Sequence, residues 1–314
     1  MVRRQGRGDL VRTLSAVRLC GIALALVMVA MPALAQTRFT TAQEAVEALV
    51  AATRTGASIA LTRILGPGGA ALVHSGDPVA DRAARARFIA AYDHEHQLEP
   101  RGPDRMELIV GADHWPMPIP IVRTASGWEF DTAAGRREIL DRRIGRDELA
   151  AIEVCRAYVE AQRAYAEQLA EAGKQRAYAQ HFISRRGRHD GLYWPTRGAE
   201  PQSPLGPLVA QARASGYTPG KARGRHHPYY GYYFRILTAQ GPRAPGGAHS
   251  YVIKGRMTGG FALLAYPATY GDSGIMTFIV DRDGIVFQRN FGPHTAAIAA
   301  KIRAYDPDAN WNPI

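Results

Sequence analysis

Residues 259–288 read GGFALLAYPATYGDSGIMTFIVDRDGIVFQ, and this stretch decides the fold class. Phe261 to Tyr266 is an almost continuous apolar run, and Met276 to Val280 is a second one. Turn-forming residues separate the two runs, and an Asp-Gly pair that ends at Gly284 follows the second run. Strands joined by turns this short pair in antiparallel fashion, so the stretch predicts an antiparallel β-sheet.

Helical patterns precede this sheet. Residues 40–54 open with the spacing of a capping box, and Asp81 to Tyr92 alternates arginine with alanine. Arg146 to Ala172 is rich in Ala, Glu, Gln and Arg, lacks proline and ends at Gly173, which predicts one long helix. The predicted fold class is α+β: helices with an antiparallel β-sheet, in two lobes joined by a long helix.

The first 35 residues have the parts of a secretory signal peptide. Five arginines form a positive n-region, Leu19 to Met31 is apolar, and Ala33-Leu34-Ala35 is a signal-peptidase site. The apolar run is shorter than the roughly 20 residues that a membrane-spanning helix needs. We therefore predict Sec export with cleavage after Ala35, a periplasmic or secreted protein, and no transmembrane segment after cleavage.

These patterns divide the chain into four predicted segments. They are a cleaved signal peptide (1–35), an N-terminal α+β lobe (36–145), a connecting helix (146–180) and a C-terminal lobe with a basic loop and the antiparallel sheet (181–314). Cleavage also removes one of the two cysteines. Cys155 then stands alone on the apolar face of the long helix, where we expect a buried thiol.

Charge is distributed unevenly along the chain. The formal net charge is +11, and removal of the signal peptide leaves +7. Residues 181–256 alone carry +10, so the rest of the mature chain is slightly acidic. A basic, aromatic segment suits nucleic acid, but export argues against that physiological role. The predicted partner is an anionic envelope component or another exported protein.

Gly271-Asp272-Ser273-Gly274 resembles the nucleophile loop of trypsin-like serine proteases. Ser273 and Asp272 are therefore candidate catalytic residues, with His226 or His227 as the base. Ile275 stands where those proteases have glycine, and no matching histidine segment precedes the loop. Since Gly, Asp and Ser are ordinary turn residues, the preferred interpretation is a turn, and a hydrolase is the alternative. The sequence contains no complete catalytic constellation, so we lean against an enzyme.

Two patterns touch on metal binding. His226 and His227, with His181 and His189, lack the spacing of a zinc site and have no accompanying cysteine or acid cluster. The segment at Asp281 begins like a calcium loop but lacks the later acidic ligands, so we interpret it as a hairpin turn. The sequence predicts no metal site and no cofactor.

Tyr229 to Phe234 is the densest aromatic cluster of the chain. The preferred interpretation is a sheet core with tyrosine hydroxyls at its rim, and the alternative is a platform for a glycan or peptide. The candidate ligand-binding residues are Tyr230, Tyr232, Tyr233, Arg223 and Arg225.

Several stretches together resemble one known family. They are the helix at 148–158, residues 203–208, YGYYFRILTAQGPRAPGG at 230–247, and residues 259–292. In order and spacing they are similar to the bacterial exported family called domain of unknown function 2950, from about Phe39 to Trp311. The resemblance implies an exported protein of Gram-negative type without an established activity, and it transfers no catalytic residue.

A weaker resemblance links the last third of the chain to the terminal sheet of some pilins and pseudopilins. It consists of the Ala-x-Pro ending at Pro267, the Tyr-Gly-x-Ser-Gly that follows, and the Asp-Gly hairpin. A pilin keeps its apolar helix and has glycine before the cut, whereas Ala35 precedes the cut here. The leading hypothesis is therefore non-catalytic binding or scaffolding of an envelope component, and an accessory subunit of a secretion or pilus system is a lesser alternative.

Overall fold

The computed structural model describes residues 35–196, 200–217 and 227–314. The helices are α1 (Ala42–Thr55), α2 (Ser58–Leu65), α3 (Gly69–Val73), α4 (Pro78–His94), α5 (Thr132–Glu171), α6 (Gly206–Ala214) and α7 (Thr295–Ala299), with a 3-10 turn at Gly292–His294. The strands are β1 (His96–Pro100), β2 (Arg105–Val110), β3 (Trp115–Pro116), β4 (Ile121–Thr124), β5 (Gly127–Phe130), β6 (Tyr232–Leu237), β7 (Ala239–Gln240), β8 (His249–Ser250), β9 (Val252–Ile253), β10 (Arg256–Met257), β11 (Ala262–Pro267), β12 (Met276–Asp281), β13 (Phe287–Asn290) and β14 (Asn312–Pro313).

The two apolar runs quoted first form the centre of an antiparallel sheet. Its strand order is β14-β13-β12-β11-β6, and Leu264 on β11 lies opposite Ile279 on β12. The turn after β12 is held by the Asp281 carboxylate, which accepts a hydrogen bond from the Asp283 amide at 3.0 Å. The predicted hairpin and the α+β fold class are confirmed.

A second antiparallel sheet lies in the N-terminal part. Its order is β1-β2-β4-β5, and β3 pairs with β2 on the same side as β4. Helix α1 begins at the predicted capping box, where the Thr41 hydroxyl accepts from the Glu44 amide. Helices α1, α2 and α4 pack with this sheet around one cluster of buried apolar residues.

Helix α5 is 40 residues long and begins well before the predicted Arg146. The Asp131 carboxylate caps its start by accepting from the Ala134 amide at 3.2 Å. Gly135 lowers the helix propensity of the first turns, but packing requires it, since a Cβ there would lie 2.2 Å from the Pro118 carbonyl oxygen. The helix ends at Glu171, one residue before the predicted Ala172, so the segment predicted to connect the lobes (146–180) is helical only to Glu171; the following Gly173 has φ +69.

Helix α5 contributes to two separate clusters of buried apolar residues. Ile139 packs against the N-terminal cluster, and Cys155 and Tyr158 belong to the C-terminal cluster. The described residues nevertheless group as one compact unit, so the division into two lobes is not confirmed. The predicted burial of Cys155 is confirmed, and burial raises the pKa of its thiol to about 12.

The predicted signal peptide lies almost entirely outside the described residues, which begin at Ala35. Within the part of the chain that the structure describes, no helix has both the length and the apolar character to span a membrane.

Candidate functional site: an arginine-rimmed apolar cavity

A cavity of about 520 Å³ lies in the N-terminal part of the molecule. Helices α1 to α4, the edge of the sheet around β2 and β3, and the first half of α5 enclose it. Its walls are largely apolar, and include Leu49, Leu65, Leu72, Phe88, Met117 and Ile139. A volume of this size is within the range of small-molecule binding sites.

Five arginines line the same cavity, with two acidic residues. Two of the arginines come from α4 and three from α5; they are Arg85, Arg87, Arg142, Arg143 and Arg146. Of the two acids, Asp81 is engaged by the Ser75 hydroxyl at 2.7 Å, and Asp113 is exposed. The lining therefore carries an excess of positive charge next to an apolar interior.

Two of these arginines have structural partners. Arg143 donates to the carbonyl oxygens of Ala71 at 2.7 Å and Leu72 at 2.6 Å, which fixes α3 to α5. Arg142 pairs with Glu138, and its guanidinium lies 5.6 Å from the centre of the Trp115 ring. Their charge helps to set the potential, but their hydrogen bonds are committed to the fold.

The remaining three arginines are better placed to receive an anion. Arg85 and Arg87 form no hydrogen bond or ion pair with any described residue. Arg146 has one acidic neighbour, with its Nε 3.6 Å from Asp147 Oδ1. Partial burial and the nearby charge of Arg146 lower the pKa of Arg87, and the charge of Asp147 opposes this effect, so the two arginines lie close enough to act on one another.

Beside the arginines lies a group that we call the polar junction: Asp77, Asp147, Tyr217, Tyr230 and Gly231. Asp77 is 1% exposed, and its Oδ1 caps α4 by accepting from the amides of Val79 and Ala80. Its Oδ2 accepts from the Tyr217 hydroxyl at 2.7 Å and from the Gly231 amide at 3.0 Å. One buried carboxylate thus connects a cavity-lining helix to the aromatic segment before β6.

Asp147 is the second buried carboxyl group of the junction. It is 1% exposed, and its Oδ2 has no hydrogen-bond partner among the described residues. Burial raises its pKa to about 7, against the opposing effect of Arg146. Only glycine fits at position 231, since a Cβ there would lie 2.8 Å from Asp147 Oδ2 and 2.9 Å from Ser273 Cβ. The Gly231 backbone therefore approaches this carboxyl group closely, next to the cavity arginine that precedes Asp147 in sequence.

The candidate nucleophile lies at the edge of this junction in a turn. Ser273 is fully buried, and its hydroxyl accepts from the Thr269 amide at 3.0 Å and donates to the Thr269 carbonyl at 3.2 Å. Burial raises the pKa of Asp272, and the positive charges of Arg143 and Arg136 oppose this effect. The two hydrogen bonds stabilise the turn. Because Ser273 is buried, its hydroxyl is out of reach of a substrate.

No hydrogen bond joins Ser273 to His227, His181 or His189, the candidate bases and metal ligands that the structure describes. His227, His181 and His189 are exposed, and His189 stacks on Trp194. His226, Arg223 and Arg225 lie outside the described residues. No group of three or more potential metal ligands occurs among the residues that the structure describes.

The three candidate tyrosines occupy different environments. Tyr232 is fully buried in the sheet, where its hydroxyl donates to the Met276 carbonyl at 2.8 Å, so a ligand does not reach it. Tyr233 packs against Tyr266 with ring centres 5.5 Å apart. Tyr230 lies before β6 with a left-handed φ of 46, and its hydroxyl is 3.0 Å from the Ser215 hydroxyl. The alternation of side chains between two faces, which a β-strand would give, does not include Tyr230, because Tyr230 belongs to a turn and β6 begins only at Tyr232.

In the basic segment 181–256, the arginines that the structure describes make several separate local contacts. Arg185 pairs with Asp190 and Arg243 with Asp306, while Arg235 donates to the Ile302 carbonyl. Sequence reasoning missed the cavity arginines because they lie in the part of the chain whose charges nearly cancel. The sequence feature that could have located them is the group of arginines and alanines in α4, together with a second arginine-rich run before Arg146.

The fold and the cavity define an α+β protein with an arginine-rimmed apolar site. The chain belongs to the family described as Protein of unknown function (DUF2950), whose model matches residues 36–314. Neither the curated proteins nor the solved structures gave a match.

Proposed function

We propose that this is an exported, non-catalytic protein that binds an anionic, partly apolar component of the cell envelope in the arginine-rimmed cavity. The observation that carries the proposal is the combination of apolar walls with Arg85, Arg87 and Arg146 in one cavity of about 520 Å³. Apolar walls favour a hydrocarbon body, and guanidinium groups favour a carboxylate or phosphate.

Export is the part of the proposal that concerns location. The family match begins at residue 36, the residue that follows the predicted cleavage site. The Gln36 side chain donates to the Phe130 carbonyl at 2.7 Å, so the first residue of the proposed mature chain already has a place in the fold. N-terminal sequencing of protein purified from an envelope fraction tests this part; a mature start at Gln36 is expected, and a start at Met1 would refute it.

Calorimetric titration of the protein with decanoate and decan-1-ol tests ligand binding. Both probes have the same chain length, and only decanoate carries a charge. Since a hydrogen bond to a charged group contributes about 1.5–3 kcal/mol, decanoate should bind about tenfold more tightly or better. Equal affinity for the two probes, or no binding of decanoate, contradicts the proposal.

Two pairs of variants locate the binding. Ile139→Trp fills the cavity and should abolish decanoate binding, whereas Leu149→Trp lies on the same helix at a 66% exposed position and should bind normally. Arg87→Gln should weaken decanoate about tenfold and leave decan-1-ol unchanged. Arg82→Gln, on the same helix but outside the cavity lining, is its control.

A further inference from the structure

Asp147 and Arg146 are neighbours in sequence but face different surroundings. Arg146 lines the cavity, whereas Asp147 is buried in the polar junction behind it. The Arg146 Nε lies 3.6 Å from Asp147 Oδ1, and among the described residues this is the ion pair that joins the cavity lining to Asp147. A ligand that engages Arg146 therefore acts on Asp147 without touching it.

We propose that Asp147 is a specificity-determining residue of the cavity: an anionic ligand takes Arg146 from Asp147, and the Asp147 carboxyl group takes up one proton as the ligand binds. The proposal deepens the proposed function and rests on it. According to this proposal, the site distinguishes acids from neutral amphiphiles because only the binding of an acid makes Asp147 take up a proton from solvent. Asp147 acts through Arg146 and is a positioning residue, not a direct contact of the ligand.

Nothing else in the junction replaces Arg146 as a partner of ionised Asp147. The Arg143 guanidinium is committed to the carbonyl oxygens of Ala71 and Leu72. The charged and titratable groups that face Asp147 are Asp77 and Arg87 from α4, Arg143 and Arg146 from α5, and Tyr232 from β6. Asp77 adds negative charge, and Tyr232 has its hydroxyl committed to a carbonyl.

The direction of the effect follows from these neighbours. With Arg146 engaged by a ligand and a new negative charge nearby, the ionised form of Asp147 loses its main compensation. Its pKa, already raised by burial to about 7, rises further. Above neutral pH, where most Asp147 is ionised in the free protein, binding therefore draws up to one proton from solvent to Asp147, and no covalent bond forms or breaks.

Decane-1-sulfonate is the probe for this exchange, because its acid group stays ionised throughout the pH range used. Calorimetric titrations at pH 7.5 in two buffers with different ionisation enthalpies give the number of protons taken up. We expect an uptake of up to about 0.8 proton for decane-1-sulfonate, the fraction of Asp147 that is ionised at this pH, and none for decan-1-ol. The affinity for decane-1-sulfonate should fall by up to tenfold for each pH unit above the pKa of free-state Asp147.

Asp147→Asn removes the titrating group and should bind decane-1-sulfonate with no proton uptake and with an affinity independent of pH between 6.5 and 8.5. Asp141→Asn is the matched control, since it makes the same chemical change at an exposed position of α5 outside the cavity lining and should keep the proton uptake. A merely structural role of Asp147 would alter stability but leave the proton count unchanged.

The outcomes separate this inference from the proposed function. Binding of decane-1-sulfonate by the unmodified protein without proton uptake overturns the inference and leaves the cavity as the binding site. Proton uptake that persists in Asp147→Asn overturns it as well, since another group would then be responsible. Failure of the unmodified protein to bind either decanoate or decane-1-sulfonate overturns both proposals.

Discussion

The N-terminal and C-terminal clusters of buried residues differ in how completely they are packed. In the C-terminal cluster, β11 is buried on both faces, and residues 262–265 have no exposed surface. In the N-terminal cluster, helices and sheet leave a cavity of about 520 Å³. One chain thus contains a tightly packed region that gives stability and an open region that is available for a ligand, and α5 belongs to both.

The sequence of α4 explains the open region. Residues 82–87 of this helix read Arg-Ala-Ala-Arg-Ala-Arg, and Tyr92 is the one buried residue of α4. Charged arginines and small alanines leave this part of α4 without a continuous apolar face to bury. The runs in β11 and β12 are apolar at almost every position, which suits strands covered on both faces. In this molecule, the helix whose arginines interrupt its apolar pattern is one that borders the cavity.

The sharpest test of this comparison makes the same substitution in both regions. Phe278→Ala removes a fully buried ring of β12 and should lower the free energy of unfolding by about 3–5 kcal/mol. Phe88→Ala removes a ring that already borders the cavity, so fewer packing contacts are lost, and we expect a cost of about 1–2 kcal/mol. Urea unfolding followed by circular dichroism measures both. Equal costs would show that the N-terminal region is packed as tightly as the sheet.

The buried carboxyl group of Asp147 gives the next largest effect, and it depends on pH. Its pKa is raised from 3.8 to about 7, so between these values the folded protein holds a proton that the unfolded chain has released. Stability therefore falls as pH rises through this window and levels off above it. At about 1.4 kcal/mol for each pH unit, the contribution reaches at most about 4 kcal/mol.

Asp147→Asn is expected to remove this slope. The difference in the free energy of unfolding between the variant and the parent should change by a few kcal/mol, in favour of the variant, between pH 4 and pH 8. Other groups titrate equally in both proteins and cancel in this difference. A constant difference would mean that Asp147 ionises normally, in contradiction to its burial.

Asp77 tests the link between the cavity wall and the C-terminal part. Asp77→Ala removes the cap of α4 and leaves the Tyr217 hydroxyl and the Gly231 amide without their acceptor. We expect a loss of about 2–3 kcal/mol, made up of the cap and the unsatisfied buried groups. Thr41→Ala, which removes the exposed cap of α1, should cost about 1 kcal/mol. Equal losses would show that Asp77 acts only as a cap.

Local sequence signals predicted much of the fold. Examples are the capping box of α1, the long proline-free helix and the antiparallel sheet around β11 and β12. Each of them depends on residues that are close together in the sequence. Helices α2 and α3 went unpredicted, and they have only eight and five residues. Such short helices depend on tertiary packing rather than propensity.

The candidate site was much harder to predict than the fold. The cavity and junction residues Arg87, Arg146 and Asp147 come from α4 and α5. The whole N-terminal sheet lies between these helices in the sequence, so no short motif contains all three residues. Net charge pointed to residues 181–256, because a sum along the chain takes no account of which residues meet in space. The sequence Gly271-Asp272-Ser273-Gly274 suggested a catalytic motif. Its position beside the polar junction results from tertiary packing, which the sequence alone does not reveal.

The smallest expected effect concerns that turn and tests the hydrolase alternative. Ser273→Ala removes two hydrogen bonds to Thr269 within a buried turn and should cost about 1–2 kcal/mol, against less than about 0.5 kcal/mol for the exposed Ser126→Ala. Because a buried hydroxyl engaged by the backbone is a poor nucleophile, a fluorophosphonate reagent specific for activated serines should not label the parent protein. Labelling that disappears in Ser273→Ala would instead establish an activated serine, and it would turn the C-terminal region from a stabilising core into a second functional site.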